Sequence, residues 1–329
     1  MKKISSLGGL LIAAVFLAPV LVKPADQKND AEAIGSRNVA HKSIISIEKE
    51  VAIGKQYAAE IDKSAKLLAD PVVTEYVNRL AQNIARNSDL KVPLTVKVID
   101  MPEINAFALP GGFMYVNSGL LAAAEEEAEI AGVISHEVAH VAARHWASQM
   151  TKSTILQYAM VPLIFIPMSY PVYVGVSQGI SIGIPLTFLK FSRGAESEAD
   201  FLGLQYMHKA GYDPNAYVAF FGKVIDEQRR SPGSAPSIFS GHPMTGDRII
   251  KSEETIKKDL PKKDSYLVST SEFDDVKDRL MATMKRSNRQ KSETNNPTLR
   301  KREAAKDSPA QREPRSEDSD RPPVLRRKE

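Results

Sequence analysis

Residues 136–140 read HEVAH, inside an apolar, Ala-rich run from Ile130 to Ala147 that predicts a helix. On a helix, the spacing of four places His136 and His140 on one face, one turn apart, so both imidazoles can reach a single metal ion. Glu137 lies about 100° around the helix from His136, near enough to activate a metal-bound water without ligating the metal. The pattern predicts a hydrolytic metal site; the alternative is a solvated helix face that carries two histidines.

The acidic segment ESEAD, residues 196–200, predicts a third ligand, because catalytic zinc takes three protein ligands. It opens a second helical pattern, Glu196–Lys209, in which Glu196 and Asp200 share a face. We expect Glu196 to bind the metal and Asp200 to accept a hydrogen bond from a ligand histidine, which fixes the tautomer of that ring. Glu198 lies on another face and is expected to be solvated. Taken alone, the segment would be an acidic helix start favoured by the helix dipole.

Four elements stand in a characteristic order along the chain. They are NAFALPGG with MYVNSGLL (105–112 and 114–121), HEVAHVAARH (136–145), ESEAD (196–200), and His242-Pro243 followed by Arg248. Together they resemble the HtpX- and CAAX-prenyl-protease-related family of zinc metallopeptidases. Within that family they are most similar to a soluble periplasmic branch, which includes proteases of outer-membrane assembly and quality control.

The resemblance covers about Ile47 to Leu280 and implies both a fold and an activity. The implied fold is α+β and mainly helical, a zincin-type (gluzincin-like) core with the HExxH helix, a small β-sheet and a second ligand-bearing helix. One Zn²⁺ per chain would be bound by His136, His140 and Glu196, with Glu137 as the base. The implied function is a zinc-dependent endopeptidase of the bacterial cell envelope that acts on misfolded or assembling proteins.

His242 and Arg248 are the remaining candidate catalytic residues, since they match the family's His-Pro…Arg element. His242 would either stabilise the oxyanion that develops on the scissile carbonyl or occupy the fourth position of zinc in a resting state. Arg248 would either pair with a carboxylate near the site or help to hold the oxyanion.

The other histidines carry no ligand spacing. His145 is nine residues from His136, so on a continuous helix it faces elsewhere, and we interpret Arg144 and His145 as structural or supporting. His41 and His208 are interpreted as incidental.

Apolar periodicity predicts further helices before this site. Ser43–Ser88 is amphipathic, and Asp70-Pro71 marks a break before a second helix, Val72–Asn87. Both apolar faces are expected to pack in the core.

Alternation and turn signals predict the sheet. Val92–Ile99 reads as a strand, and Asn105–Asn117 as a strand pair around the turn at 110–112. An edge strand beside the metal would offer unpaired backbone groups to an extended substrate. We assign that role to Asn105, Ala106, Phe107 and Ala108; the alternative is an ordinary core strand.

Composition indicates an exported enzyme with one large domain, residues 43–285. The 329 residues are 43% hydrophobic and include no cysteine, which excludes a disulfide framework and a thiolate metal site. Residues 1–23 combine a basic start with an uncharged apolar run, as in a signal peptide or an uncleaved membrane anchor. The body would then be periplasmic or anchored to the membrane, and residues 24–42 are predicted to be a linker.

Ser153–Leu189 contains no charged residue but is interrupted by four prolines. The pattern favours a buried helix followed by a loop over the active site. The alternative is an interfacial hairpin that docks on a membrane. A transmembrane hairpin is disfavoured because it would lie between two ligands of one site.

The tail, residues 286–329, has 13 basic and 8 acidic residues, so it alone accounts for the +4 formal charge of the whole chain. Its mixed charge and few apolar residues predict disorder. Without aromatic interleaving and in an exported protein, a nucleic-acid partner is excluded. The predicted partners are a protein or peptide substrate and a membrane surface or outer-membrane assembly machinery. Two alternatives remain: an envelope chaperone or assembly factor with secondary proteolysis, and an interaction protein with an accidental HExxH.

Overall fold

The computed structural model describes residues 30–164, 190–230 and 241–295, and all elements below lie within them. Its helices are α1 (Ile47–Ser64), α2 (Pro71–Arg86), α3 (Ser118–Ala123), α4 (Glu127–Ala142), α5 (His145–Ile164), α6 (Arg193–Lys209), α7 (Asn215–Arg230), α8 (Gly246–Lys258) and α9 (Ser271–Asn295). Its strands are β1 (Thr95–Ile99), β2 (Ala106–Leu109) and β3 (Phe113–Asn117). The predicted fold, mainly helical with a small sheet, is confirmed.

Helices α1 and α2 lie where the apolar periodicity predicts them. Ser46 caps α1, with its hydroxyl accepting from the Lys49 N–H, and Asp70 caps α2, with its carboxylate accepting from the Val72 N–H. Pro71 stands at the first position of α2, where its missing N–H costs nothing. The predicted break at Asp70-Pro71 is therefore confirmed.

The sheet has the strand order β1-β3-β2, with β1 parallel and β2 antiparallel to β3. The turn between β2 and β3 uses Gly111 and Gly112, whose φ angles of 76° and 91° are disfavoured for residues with a Cβ. Strand β1 begins at Thr95, three residues after the predicted start. Strand β2 is an edge strand, and the HEVAH helix, α4, packs beside it.

Helix α4 is the centre of the domain, and every residue from Glu127 to Ala142 is buried. Helix α6 crosses it closely because Gly203 has no side chain there. A Cβ at Gly203 would lie 3.1 Å from the His136 nitrogen and 3.2 Å from its Cα. This close approach brings the acidic first turns of α6 to the histidines of α4.

The HEVAH helix ends earlier than predicted, at Ala142 instead of Ala147. Arg144 has φ 57°, a left-handed conformation that costs about 1–2 kcal/mol for a residue with a side chain. Its guanidinium donates to Glu50 Oε2 at 2.8 Å and to the Ile45 carbonyl at 2.7 Å. These contacts with a distant segment stabilise the break, so His145 starts a new helix.

The predicted linker, 24–42, is wrong in its described part, 30–42. Ile34 and Val39 belong to the hydrophobic core. Arg37 is buried, and its Nε donates to Asp89 Oδ2 at 2.7 Å. A buried ion pair and two core side chains attach this segment to the domain.

Some of the predicted segments lie wholly or partly outside the described residues. The targeting segment, 1–23, and residues 165–189 of the uncharged stretch lie outside them. In the described end of α5, Ile155, Leu156 and Tyr158 are exposed, so the predicted buried helix is wrong there. An uncharged residue is not buried unless another element covers it. No helix in the described ranges is both long and apolar enough to cross a membrane.

The C-terminal part of α9 runs into the predicted disordered tail. By its internal contacts the chain divides into two units, Met1–Lys285 and Arg286–Glu329. Residues 286–295 are helical. Extending an existing helix requires no new nucleation, so α9 continues past Lys285. The tail beyond Asn295 lies outside the described residues.

Candidate metal centre

Helix α4 presents its two histidines to one point. His136 Nε2 and His140 Nε2 lie 3.1 Å apart, and both side chains are buried. The first turn of α6 brings Glu196 to the same point: Oε2 lies 3.4 Å from His136 Nε2, and Oε1 lies 3.6 Å from His140 Nε2. We call these three residues the inner site.

The inner site suits a metal ion. Tetrahedral zinc, with bonds of about 2.0–2.1 Å to nitrogen and oxygen, separates its ligand atoms by roughly 3.4 Å. The three ligand-atom distances above, 3.1 to 3.6 Å, bracket that value. Glu196 Oε2 is buried and makes no hydrogen bond within the described residues, although Arg248 Nη1 lies 3.0 Å away. A cation held between the three side chains would satisfy this oxygen.

Glu137 is buried beside the inner site and is oriented by the sheet. The Ala108 N–H of the edge strand β2 donates to Glu137 Oε2 at 3.0 Å. The other oxygen, Oε1, lies 3.5 Å from His242 Nε2. One backbone hydrogen bond thus fixes the carboxylate while Oε1 faces the site.

Asp200 lies one turn after Glu196 on α6 and contacts the far side of the His136 ring. Its Oδ1 is 3.1 Å from His136 Nδ1, while Arg248 donates through Nη2 to Oδ1 at 2.6 Å and through Nε to Oδ2 at 2.7 Å. The Tyr217 hydroxyl, on α7, also donates to Asp200 Oδ1. A proton on His136 Nδ1 leaves the Nε2 lone pair for a metal.

Tyr217 was missed in the sequence, since a single tyrosine in an amphipathic helix carries no signal.

Arg248 contacts carboxylates, which is the first of its two predicted roles. Besides its contacts with Asp200, its Nη1 lies 3.0 Å from Glu196 Oε2 and donates to the Pro243 carbonyl at 3.0 Å. Thr245 caps the helix α8 that carries Arg248. The buried guanidinium therefore ties both α6 carboxylates to the 242–248 segment.

His242 is buried at the inner site. Its Nδ1 lies 3.0 Å from Glu196 Oε1, and its ring lies near that of Phe191, with the centroids 5.9 Å apart and the planes tilted by 38°. One ligand atom from each of His136, His140, Glu196 and His242 lies within 4.8 Å of the others. His242 is thus close enough to the metal position and to Glu137 for either of its predicted roles.

Protonation in the metal-free site follows from this geometry. Burial lowers the pKa of His136, but Asp200 and Glu196 outweigh it and raise that pKa to about 9. Burial and the neighbouring His136 hold the pKa of His140 well below its ordinary value. Burial opposes ionisation of Glu196 and Asp200, yet His136 with His242 or Arg248 lowers the pKa of both. A metal ion must therefore displace a proton from His136.

A second cluster, His41, His145 and Glu198, lies behind the inner site; we call it the outer cluster. Because the helix breaks at Arg144, His145 does not face elsewhere: its Nδ1 lies 2.9 Å from His140 Nδ1. Glu198 is half-buried rather than solvated, with its Oε2 2.6 Å from His41 Nε2 and 3.3 Å from His145 Nε2. The interpretation of His41 as incidental is wrong. His208 makes no hydrogen bond with the inner site. Its Nε2 lies 2.7 Å from the Pro261 carbonyl oxygen.

The stretch 105–108, predicted to bind substrate, consists of Asn105 and the first three residues of edge strand β2. Ala106 and Ala108 are buried, while Phe107 is half-buried and stacks on Tyr115 with centroids 5.4 Å apart. The Asn105 carbonyl accepts from the Asn117 N–H at 3.0 Å. The stretch contacts Glu137 directly through Ala108, and its role in substrate binding stays a prediction.

Comparison with known sequences agrees with this geometry. The profile of Peptidase family M48 matches residues 71–256, which include the inner site, Asp200, His242 and Arg248. The resemblance drawn from the four elements is confirmed, and with it the metallopeptidase class.

Curated relatives carry matching names. The chain is 30% identical to the beta-barrel assembly-enhancing protease of Escherichia coli over 73% of this chain and 50% of that protein. It is 32% identical to the protein of the same name from Yersinia pestis, over 62% and 43%. It is 34% identical to the mitochondrial metalloendopeptidase OMA1 of Schizosaccharomyces pombe, over 58% and 56%. The chain spans about half the length of these relatives.

Proposed function

The chain belongs to peptidase family M48, and we propose that it is a zinc-dependent endopeptidase that hydrolyses peptide bonds in protein substrates. The observation that carries the proposal is the buried convergence of His136, His140 and Glu196 beside Glu137. Three potential ligands and a potential base meet at one point, each held by contacts from a different part of the fold.

His136 Nε2, His140 Nε2 and a Glu196 oxygen would hold one zinc ion per chain. Two imidazoles and one carboxylate form a ligand set typical of catalytic zinc, and the chain has no cysteine to provide a thiolate. When bound, zinc lowers the pKa of a water molecule and polarises a carbonyl oxygen.

Glu137 is the proposed base. It accepts a proton from the attacking water and passes it to the amine that leaves. The Ala108 N–H holds Oε2 at 3.0 Å, which leaves Oε1 to exchange the proton. Burial of the carboxylate beside β2 keeps it in one orientation through both transfers.

Arg248 is proposed to act through Glu196 and Asp200 rather than on the substrate. Its Nε and Nη2 donate to Asp200, and Nη1 donates to the Pro243 carbonyl beside Glu196. Substitution of this guanidinium would release two carboxylates at once.

His242 keeps two proposed roles, and His242→Ala separates them. If the ring contacts the oxyanion, the substitution lowers kcat by about 10²–10³-fold. If the ring occupies the fourth metal position at rest, its removal opens the site and raises activity. Metal content is expected to stay unchanged in both cases, since the three inner-site ligands remain.

Stretch 105–108 is proposed to bind the substrate backbone. Strand β2 lies at the sheet edge and touches Glu137 through Ala108. An extended peptide that pairs there would bring its scissile bond to the base.

The proposed setting is the bacterial cell envelope, with the protein periplasmic or anchored by its first residues. Residues 1–23 have the composition of an export segment. Relatives named for beta-barrel assembly support misfolded or assembling envelope proteins as substrates. A membrane surface or outer-membrane assembly machinery is the proposed further partner, and nucleic acid is not.

Glu137→Gln tests the proposal most directly. We expect the purified variant to keep one equivalent of zinc and to lose casein cleavage, because the ligands remain and the base is gone. Wild-type cleavage should stop with a chelator and return with zinc. Retained cleavage by Glu137→Gln would overturn the assignment.

The matched control is Glu60→Gln, the same change at an exposed position of α1. It should keep both zinc and activity. Equal capture of unfolded envelope proteins by wild type and Glu137→Gln, with cleavage by neither, would favour the alternative function as a chaperone or assembly factor.

A further inference from the structure

The outer cluster has the donor set and spacing of a cation site. One ligand atom from each of His41, His145 and Glu198 lies within 4.8 Å of the others. His145 Nε2 lies 3.3 Å from Glu198 Oε2, close to the ligand separation of roughly 3.4 Å expected around zinc. His41 Nε2, at 2.6 Å from the same oxygen, needs to move by less than about 1 Å to reach that separation.

The three side chains come from three separate segments of the chain. The His41 N–H donates to the Ala143 carbonyl at 2.9 Å, so the segment before α1 is fixed to the end of α4. His145 begins α5, directly after the break at Arg144, and Glu198 lies in the first turns of α6. The cluster is therefore assembled by the same helix break that ends the HEVAH helix.

Solvent can reach this cluster without passing through the inner site. The side chains of His41 and Glu198 are 36% and 21% exposed, while that of His145 is 2% exposed. A cavity of about 380 Å³ adjoins all three and is also lined by Gln149, Lys152 and Phe191. Lys152 brings one positive charge to its wall, so a bound cation there is held less tightly than three ligands alone would hold it.

A single proton connects the two sites. His140 Nε2 faces the inner site and His140 Nδ1 lies 2.9 Å from His145 Nδ1, a hydrogen bond that accommodates one hydrogen. With a metal on His140 Nε2, that hydrogen stays on His140 Nδ1, and His145 carries its own hydrogen on Nε2, toward Glu198. With a metal on His145 Nε2, the hydrogen stays on His145 Nδ1, and His140 carries its own on Nε2, toward the inner site.

Both arrangements contain two neutral rings and two protons, so they differ only in where the protons lie. Loading both sites would put a hydrogen on both Nδ1 atoms, which face each other at 2.9 Å, so the hydrogen bond between the rings would be lost and the two N–H groups would repel each other. Because that contact favours only one hydrogen, occupancy of one site opposes occupancy of the other.

We propose that His41, His145 and Glu198 form a second site for a divalent cation of the zinc type, and that cation binding there weakens metal binding by His140. The coupling rests on the proposed function, which places a metal on His140, whereas the second site itself does not. Excess zinc would thereby inhibit the enzyme, since the outer ion forces a hydrogen onto the inner ligand atom.

Equilibrium dialysis of the full chain against buffered zinc tests both parts. Wild type should bind a first equivalent, then a second at least tenfold more weakly, and His41→Ala should bind one. His136→Ala, which disables the inner site, should bind one equivalent more tightly than wild type binds its second. The double variant His41→Ala/His136→Ala should bind none. Glu198→Gln, with circular dichroism as a folding check, repeats the test if His41→Ala misfolds.

Casein cleavage provides the second readout. Excess zinc should inhibit wild type and not His41→Ala, whose rate with one equivalent should match that of wild type. One equivalent in both wild type and His41→Ala, two in His41→Ala, equal affinity of the outer site in wild type and His136→Ala, or equal inhibition of wild type and His41→Ala would overturn the proposal. If instead the inner metal of the proposed function is wrong, wild type and His136→Ala will each bind one equivalent, and His41→Ala none.

Discussion

Helix α6 carries carboxylates on two faces, and the two faces have opposite surroundings. Glu196 and Asp200 enter the inner site, where a buried arginine and a tyrosine hold them. Glu198 enters the outer cluster, where two imidazoles share one of its oxygens at a half-exposed position. The two clusters use the same residue types. What distinguishes them is how fully the carboxylates are buried.

The largest effect is expected from His140→Ala, because this ring contacts both clusters. Loss of one of three inner ligands should lower zinc affinity by several orders of magnitude and abolish cleavage. His41→Ala, a histidine of the outer cluster alone, should keep the inner zinc. Zinc content by mass spectrometry and casein cleavage measure both. A His140→Ala protein that retains one tightly bound zinc and its activity would show that the inner site is elsewhere.

Asp200→Asn should have the next largest effect. Asparagine keeps an oxygen that can accept from His136 Nδ1 but removes the negative charge that raises the basicity of the ring, so zinc affinity should fall about 10–100-fold. Arg248 would lose one of its two buried carboxylate partners and keep Glu196, so folding stability should fall by less than the roughly 3–5 kcal/mol expected for a buried charge left unpaired. Zinc titration and urea unfolding measure these two losses. Glu198→Gln is the matched change on the other face of α6, and an equal loss of stability there would contradict the contrast in burial.

The two clusters should also respond to pH in opposite directions in the metal-free protein. The folded pKa of His136, about 9, lies above the ordinary value of about 6.5. The contribution of protonated His136 to folding stability is complete below pH 6.5 and is lost as the pH rises through 9. Burial lowers the pKa of His145, so its contribution is present above pH 6.5 and is lost as the pH falls below it.

Melting temperatures of the chelated protein across this range measure both effects, which we expect to be a few degrees each. In Asp200→Asn the alkaline loss should shrink, because the carboxylate that raises the pKa of His136 is gone. Zinc-loaded wild type should lack the alkaline loss as well, since the metal keeps the His136 ring neutral. An alkaline loss of the same size in all three proteins would assign it to other groups.

Local periodicity explains how much of this could be predicted from the sequence. His136 and His140 face one point because a single helical turn separates them, and Glu196 and Asp200 share a face for the same reason. The pairing of His145 with Glu198 and His41 depends instead on a helix break that Glu50 stabilises from 94 residues away. No local pattern contains that contact. The tyrosine on Asp200 was missed for the same reason, since its partner lies on another helix.

The smallest expected effect concerns the helix break at Arg144. Arg144→Ala and Arg144→Gly both remove the ion pair with Glu50, so their difference isolates the backbone conformation. Glycine adopts φ 57° without the side-chain clash that costs alanine about 1 kcal/mol. Urea unfolding should therefore find Arg144→Gly more stable than Arg144→Ala, the reverse of the order inside a helix. If alanine is the more stable, the helix continues through residue 144. His145 would then lie away from His140, and the outer cluster would lose the residue that connects it to the inner site.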